Sequence, residues 1–113
     1  MSQITTHVLD TSLGKPASDL HVALEIHSGK HEWIRLAEGR TQTDGRLPNL
    51  LPTDSLKAGL YRMTFDTASY FQANGLQGFY PYILVAFEIQ DTTQHYHVPL
   101  LLSPYGYSTY RGS

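Results

Sequence analysis

Apolar and polar residues alternate with a period of two along several short stretches of the chain, a pattern typical of half-buried β-strands. In residues 4–10 this alternation is expected to turn Val8 towards the protein interior and His7 away from it. Between the stretches lie Gly-, Pro- and Asp-containing segments, which are common in turns. The predicted strands cover residues 4–10, 20–26, 33–36, 59–65, 82–89, 95–102 and 107–110.

Three segments between the strands have their own signals. Residues 13–17 contain a Gly and a Pro and predict a turn without ladder pairing, and residues 43–46 predict a second, tight turn. Thr67 can cap a short helix that Gly75 can end. Seven to eight short strands with one short helix predict an all-β fold, a two-sheet antiparallel sandwich. Such sandwiches have many unrelated functions, so the pattern alone does not predict one.

Composition narrows the class of protein. A chain of 113 residues is the length of one domain, so residues 1–113 are expected to form a single unit. The formal net charge of −2 gives no basic field for nucleic acid and no polybasic patch for a membrane. The chain has no Cys, which excludes disulfide and thiolate chemistry. Its first residues lack an apolar signal core, so we expect a cytoplasmic protein, or a periplasmic one if an export signal has been removed.

The clearest candidates for chemistry are histidines on outer strand faces. In the strand 95–102, His95 and His97 share one face, opposite the core candidates Val98 and Leu100. His7 points outward from the first strand in the same way. Simple solvation would explain such histidines. So would a three-histidine zinc site, although no third ligand is fixed by the spacing, and so would acid–base catalysis without a metal.

Two further features could bind a ligand. Arg46 follows the predicted turn and is either a solvated charge or a planar donor for an anionic or imide-like group. The C-terminal residues 107–113 carry aromatic side chains almost to the last residue, whereas chain ends usually fray. If this end entered a site, it would bring a hydroxyl, a guanidinium and a carboxylate together.

Five motifs in order along the chain resemble the 5-hydroxyisourate hydrolases, which are transthyretin-like proteins. The N-terminal signature has two parts, the central motif is an arginine turn, and a late strand and a terminal tetrapeptide complete the set. The motifs are THVLD at residues 6–10, GKPA at 14–17, TDGR at 43–46, HYHVPLLLSP at 95–104 and YRGS at 110–113. The terminal tetrapeptide is the part that separates these enzymes from transthyretin.

The resemblance implies a transthyretin-like sandwich that assembles into a homotetramer, with active sites at the channel between dimers. It implies hydrolysis of 5-hydroxyisourate to 2-oxo-4-hydroxy-4-carboxy-5-ureidoimidazoline, a step of urate degradation, without a metal or organic cofactor. His7, Arg46 and His97 are the implied catalytic residues. The substrate would be bound by His7 and Arg46 together with Tyr110 and Ser113 of the C-terminal segment.

The expected reaction is attack of water on a ring amide carbonyl. We assign His97 as general base, with His7 as the alternative, and Arg46 as the group that stabilises the developing oxyanion. Tyr110 is expected to flank the substrate and Ser113 to orient an imidazole. Two other classes remain: a carrier that holds a small aromatic ligand without reaction, and an immunoglobulin-like adhesion or carbohydrate module. The carrier would not need both histidines or the YRGS ending, and the module would show exposed aromatic stripes instead.

Overall fold

Two hydrogen-bonded sheets pack face to face in the computed structural model, which describes residues 3–52 and 54–112. One sheet has the order β2-β1-β8-β9, with β5 also paired to β1, and the other has the order β4-β3-β6-β7. The strands are β1 (Ile4–Asp10), β2 (Lys15–Pro16), β3 (His21–His27), β4 (Trp33–Arg40), β5 (Arg46–Leu47), β6 (Gly59–Phe65), β7 (Ile83–Ile89), β8 (Tyr96–Ser103) and β9 (Gly106–Thr109). One helix, α1 (Thr67–Ala73), lies between β6 and β7.

The core lies between the sheets and follows the predicted alternation. In β1, Ile4 and Val8 are fully buried, while His7 on the opposite face is only partly buried. In β8, Val98 and Leu100 are buried, as the pattern predicted. The inner faces of the two sheets thus supply the apolar core.

One strand pair departs from an antiparallel sandwich. β1 and β8 run parallel, with Ile4 opposite Tyr96 and Asp10 opposite Leu102. All other pairs of named strands among the described residues are antiparallel. A parallel pair needs a long crossover, and here the whole second sheet, with α1, forms that connection. The predicted two-sheet sandwich is confirmed, but its first sheet is mixed.

Several local predictions were wrong in detail. The turn at 13–17 contains the two-residue strand β2, since Lys15 and Pro16 pair with the end of β1. This strand and β5 raise the number of strands in the described residues to nine. The N-cap of α1 is Asp66 rather than Thr67, because the Asp66 carboxylate accepts from the backbone of Ser69.

The end of α1 agrees with the prediction. Gly75 has a φ of 72° and follows the last helical turn, where a left-handed conformation favours glycine. No helix within residues 3–52 and 54–112 has the length and apolar character that a membrane crossing requires.

The buried carboxylate of Asp10 ties β1 to α1. Its oxygens accept from the Tyr70 hydroxyl at 2.7 Å, the Ser12 hydroxyl at 2.6 Å and the backbone N–H groups of Ser12 and Leu13. Burial acts to raise the pKa of Asp10, but the donated hydrogen bonds outweigh it and hold that pKa below its usual value. Burial and the bond to Asp10 raise the pKa of the Tyr70 phenol. The network therefore requires an ionised Asp10.

We predict that Asp10→Asn lowers the free energy of unfolding at neutral pH by roughly 1–3 kcal/mol, because the amide's NH₂ would face hydrogen-bond donors. Since folding lowers the pKa of Asp10, its contribution is present above the unfolded pKa of about 3.9 and is lost as pH falls through the folded value. Urea unfolding at neutral and acidic pH measures both effects, with exposed Asp54→Asn as control. Equal stability of Asp10→Asn and the wild type at neutral pH would refute the role of this network.

Candidate active site

Strand pairing places His7 beside Arg46 on the outer face of the mixed sheet. The two residues are register partners between β1 and β5, so their side chains leave the sheet on the same side. The His7 Nε2 lies 2.8 Å from the Asp44 main-chain oxygen. Because a carbonyl oxygen only accepts, this Nε2 carries a hydrogen and donates it. Nδ1 is then the nitrogen of His7 that can accept a proton.

The backbone of Arg46 is fixed by a hydrogen bond, whereas its guanidinium is exposed. Its backbone N–H donates to the Asp44 carboxylate at 3.0 Å, and its Nε lies 3.9 Å from the same group. The Arg46 side chain is 55% exposed, so the guanidinium keeps donors for a ligand. The ion pair with Asp44 is solvated and weak, and it does not compete strongly with a bound anion.

His97 lies on the same outer face, next to β1. Thr5 is its register partner across the parallel pair, and the Thr5 Oγ1 lies 2.8 Å from the His97 Nδ1. The His95 Nε2 contacts the same hydroxyl at 3.1 Å. The two imidazoles are nearly parallel, with ring centroids 6.4 Å apart. The predicted shared face of His95 and His97 is therefore present.

The pKa of His97 is lowered from its ordinary value of 6.5. Burial is the largest cause, and the charges of Arg46, His95 and His7 lower it further, while a hydrogen bond to the Thr5 backbone opposes them. Arg46, His95 and His7 influence the pKa of His97 because their side chains lie close to its ring. Its imidazole is consequently neutral at neutral pH and able to accept a proton.

Both site histidines pack against glycine. At Gly45, whose φ is 79°, an added Cβ would collide with the Val8 carbonyl oxygen and lie 3.2 Å from the His7 Cδ2. At Gly112 an added Cβ would lie 2.6 Å from the His97 Cδ2. The glycines of the arginine turn and the terminal motif thus leave room for the imidazole rings.

The chain end is tied to β8 rather than frayed. Gly112 donates from its N–H to the His97 main-chain oxygen at 2.8 Å. Arg111 donates to the Gln94 side chain at 2.6 Å, and its guanidinium lies 4.6 Å from the centroid of the Tyr96 ring. These contacts account for the Arg111 side chain, to which the sequence assigned no role.

One predicted binding residue, Tyr110, stands apart from the histidine–arginine group. Tyr110 is 58% exposed, and with His97 it lines a cavity of about 240 Å³ at the sandwich edge, against Val85 and Phe87 of β7. Among the described residues, neither His7 nor Arg46 lines this cavity. We therefore place the candidate site on the open outer face of the sheet, with Tyr110 at its border. Ser113 lies outside the described residues.

The zinc alternative has no ligand set in the described part of the chain: no group of three His, Cys, Asp or Glu side chains there is arranged to hold a metal ion. Sequence reasoning missed two residues of the site. It placed His95 on the correct face and weighed it as a zinc ligand, but did not include it among the catalytic residues, and it did not consider Thr5. Thr5 lies two residues before His7 and therefore points to the same face of β1. Only the register between β1 and β8 brings its hydroxyl to His97.

Comparison with known proteins gives one consistent result. Residues 4–112 match the model of the HIUase/Transthyretin family. The chain is 47% identical to a 5-hydroxyisourate hydrolase of Mus musculus, covering 99% of this chain and 96% of the relative. It is 44% identical to a 5-hydroxyisourate hydrolase of Caulobacter vibrioides, with both chains fully covered.

Solved structures agree in fold. The crystal structure of sea bream transthyretin in complex with thyroxine is similar to this chain with a TM-score of 0.93 and 29% identity, over 98% of this chain and 95% of the other. The family match spans both the histidine-bearing strands and the arginine turn. The chain therefore belongs to the HIUase/Transthyretin family.

Proposed function

We propose that this protein hydrolyses 5-hydroxyisourate to 2-oxo-4-hydroxy-4-carboxy-5-ureidoimidazoline, a step of urate degradation, without a metal or organic cofactor. One observation carries the proposal: His97, with a lowered pKa, lies with His7 and Arg46 on one open sheet face. A base and a guanidinium can supply the proton acceptor and the oxyanion donor that accelerate water attack on a ring amide, and a second imidazole can assist with proton transfer. Relatives that carry the name 5-hydroxyisourate hydrolase support this substrate.

In the proposed reaction His97 removes a proton from water through Nε2. The water oxygen bonds to the ring carbonyl carbon, and the carbonyl oxygen gains negative charge that the Arg46 guanidinium stabilises. The bond between that carbon and the ring nitrogen then breaks, and the nitrogen receives a proton. His7, which donates from Nε2 to the loop carbonyl, would hold the water by accepting from it at Nδ1, or supply that proton from Nδ1 when its ring is protonated. Tyr110 would flank the substrate, and Ser113 would orient an imidazole.

The open face requires a cover to shield the site from bulk solvent while the attacking water stays in place. Arg46 is more than half exposed, and His97 is only partly buried in one subunit. We propose that a homotetramer supplies the cover, with the sites in the channel between dimers. The transthyretin-like fold of the chain supports this assembly.

The direct test follows the ultraviolet absorbance of freshly generated 5-hydroxyisourate with and without the protein. We expect decay well above the spontaneous rate, unchanged by EDTA, because the proposed base and oxyanion partner are side chains. An unchanged decay trace would refute the enzyme and favour a carrier that binds a small aromatic ligand. Loss of activity in EDTA that zinc restores would refute metal-free catalysis.

Substitution of the three site residues should separate catalysis from folding. We expect His97→Asn to lower kcat by roughly two to four orders of magnitude, the contribution of a positioned base, and His7→Asn to lower it as well. Arg46→Lys should lower kcat on the order of hundreds of times, since an ammonium cannot reproduce the planar donor.

The matched controls for these variants are His31→Asn and Arg35→Lys, which are exposed and lie in β4 of the other sheet or in the loop before it; they should keep full activity. Light scattering should give all variants the same mass as the wild type, four times the 12.7 kDa chain. Unfolding or dissociation of all three site variants would show that these residues are structural.

The pH profile tests the base assignment. Because burial and the Arg46 charge lower the pKa of His97, the acidic limb of kcat/KM should have its midpoint below 6.5. Arg46→Gln removes a cation that disfavours the imidazolium, so the His97 pKa should rise and the limb should move to higher pH. NMR titration of the His97 ring measures the same shift without turnover. A limb that persists in His97→Asn and disappears in His7→Asn would make His7 the base.

A further inference from the structure

The Thr5 hydroxyl lies between two imidazoles and contacts both. Its Oγ1 is 2.8 Å from the His97 Nδ1 and 3.1 Å from the His95 Nε2. Thr5 itself is only 8% exposed, so water has little access to the hydroxyl. The three side chains form a continuous hydrogen-bonded chain that ends at the proposed base.

This arrangement follows from the strand geometry. The parallel register places Thr5 directly beside His97, and His95, which immediately precedes β8, has its ring nearly parallel to the His97 ring. The side chain of His95 is exposed, so neither packing nor burial accounts for the direction of its ring.

When both imidazoles are neutral, the number of available hydrogens allows only two arrangements of the hydrogen bonds among Thr5, His95 and His97. A hydroxyl has one hydrogen, so Thr5 donates to one histidine and accepts from the other. If His97 donates from Nδ1, Thr5 donates to the His95 Nε2, and the His97 Nε2 keeps a free lone pair. In the reverse order His97 carries its hydrogen on Nε2 and cannot act there as a base.

The first order is the one that serves the proposed reaction. His97 is only partly buried on the outer face of the sheet, and its Nε2 keeps a lone pair for a proton of water only when the ring hydrogen is on Nδ1.

We propose that Thr5 and His95 are positioning residues that hold His97 in its Nδ1–H tautomer and so leave Nε2 free to take a proton from water. The choice of this tautomer rests on the proposed function, whereas the contacts of Thr5 with both imidazoles do not. The arrangement is comparable to other active-site histidines, in which the partner of one ring nitrogen fixes which nitrogen reacts. His7 and Arg46 face the same ring and act on its charge, but in the described residues Thr5 is the side chain that contacts its Nδ1.

The tautomer can be read directly from long-range ¹H–¹⁵N NMR spectra of ¹⁵N-histidine-labelled protein, at a pH where His97 is neutral. We expect the Nδ1–H pattern for His97 in the wild type. Thr5→Val keeps the shape but removes the hydroxyl, so the spectrum should move towards the Nε2–H form. In the same variant kcat should fall roughly ten- to a hundredfold, as is typical when a group that orients a functional histidine is lost. Thr5→Ser keeps the hydroxyl and should restore both properties.

Two further variants separate positioning from stability. His95→Leu is an exposed substitution that leaves Thr5 free to donate to the His97 Nδ1, so it should shift the tautomer even if Thr5→Val does not fold. Thr6→Val removes a neighbouring hydroxyl that donates to the buried Val98 oxygen at 2.6 Å; it should lower Tm without changing the His97 tautomer.

An Nε2–H pattern for wild-type His97 would overturn the proposal, as would a tautomer and kcat that Thr5→Val and His95→Leu leave unchanged. Failure of the proposed function looks different. In that case the wild type would not hydrolyse 5-hydroxyisourate, and Thr5 and His95 would have no role in catalysis. The spectrum would still decide whether Thr5 and His95 fix the tautomer.

Discussion

The parallel pairing of β1 with β8 positions most of the candidate site. Seven consecutive register pairs join residues 4–10 to 96–102. On the inner side this pairing brings Ile4, Val8 and Leu100 into the core. On the outer side it sets Thr5 beside His97 and His7 two residues further along the same strand. A shift of register by one residue would turn the histidines into the core and the apolar residues outward, so the fold and the site depend on the same contact.

The candidate site lies on the outer face of the mixed sheet, which does not form the core between the two sheets. Apolar residues on the inner faces supply the stability of the sandwich, which leaves the outer face available for polar groups. The short strand β5 adds Arg46 at one side, and the chain end adds Gly112 at the other. Burial and clustered charge keep His97 neutral, which suits a base that acts without a metal. The same exposure explains why the proposed reaction needs a second subunit to shield the site from bulk solvent.

The sequence predicted correctly which side chains of a strand point inward or outward, but it did not predict which strands pair with each other. Alternation alone placed Val8 inward and His7 outward, because side-chain direction in a strand is a local property. It did not reveal that β1 pairs with β8 in parallel, since no local signal specifies a partner some ninety residues away. For the same reason neither Thr5 nor His95 was expected to orient His97, and an imidazole-orienting role was expected from Ser113. Lys15 was assigned to a turn because Gly14 and Pro16 mask a two-residue strand.

The central claim, that the outer face of the mixed sheet binds the urate-derived ring, can be tested with the chain's own six histidines. ¹H–¹³C NMR spectra of the imidazoles would be recorded during titration with urate, a stable ring related to the proposed substrate. His7, His95 and His97 lie at the site, whereas His21, His27 and His31 belong to the other sheet or its loops and serve as internal controls. The account predicts that the resonances of His7 and His97 move and saturate while those of the three controls do not. Saturable shifts confined to His21, His27 or His31, with His7 and His97 unchanged, would contradict it.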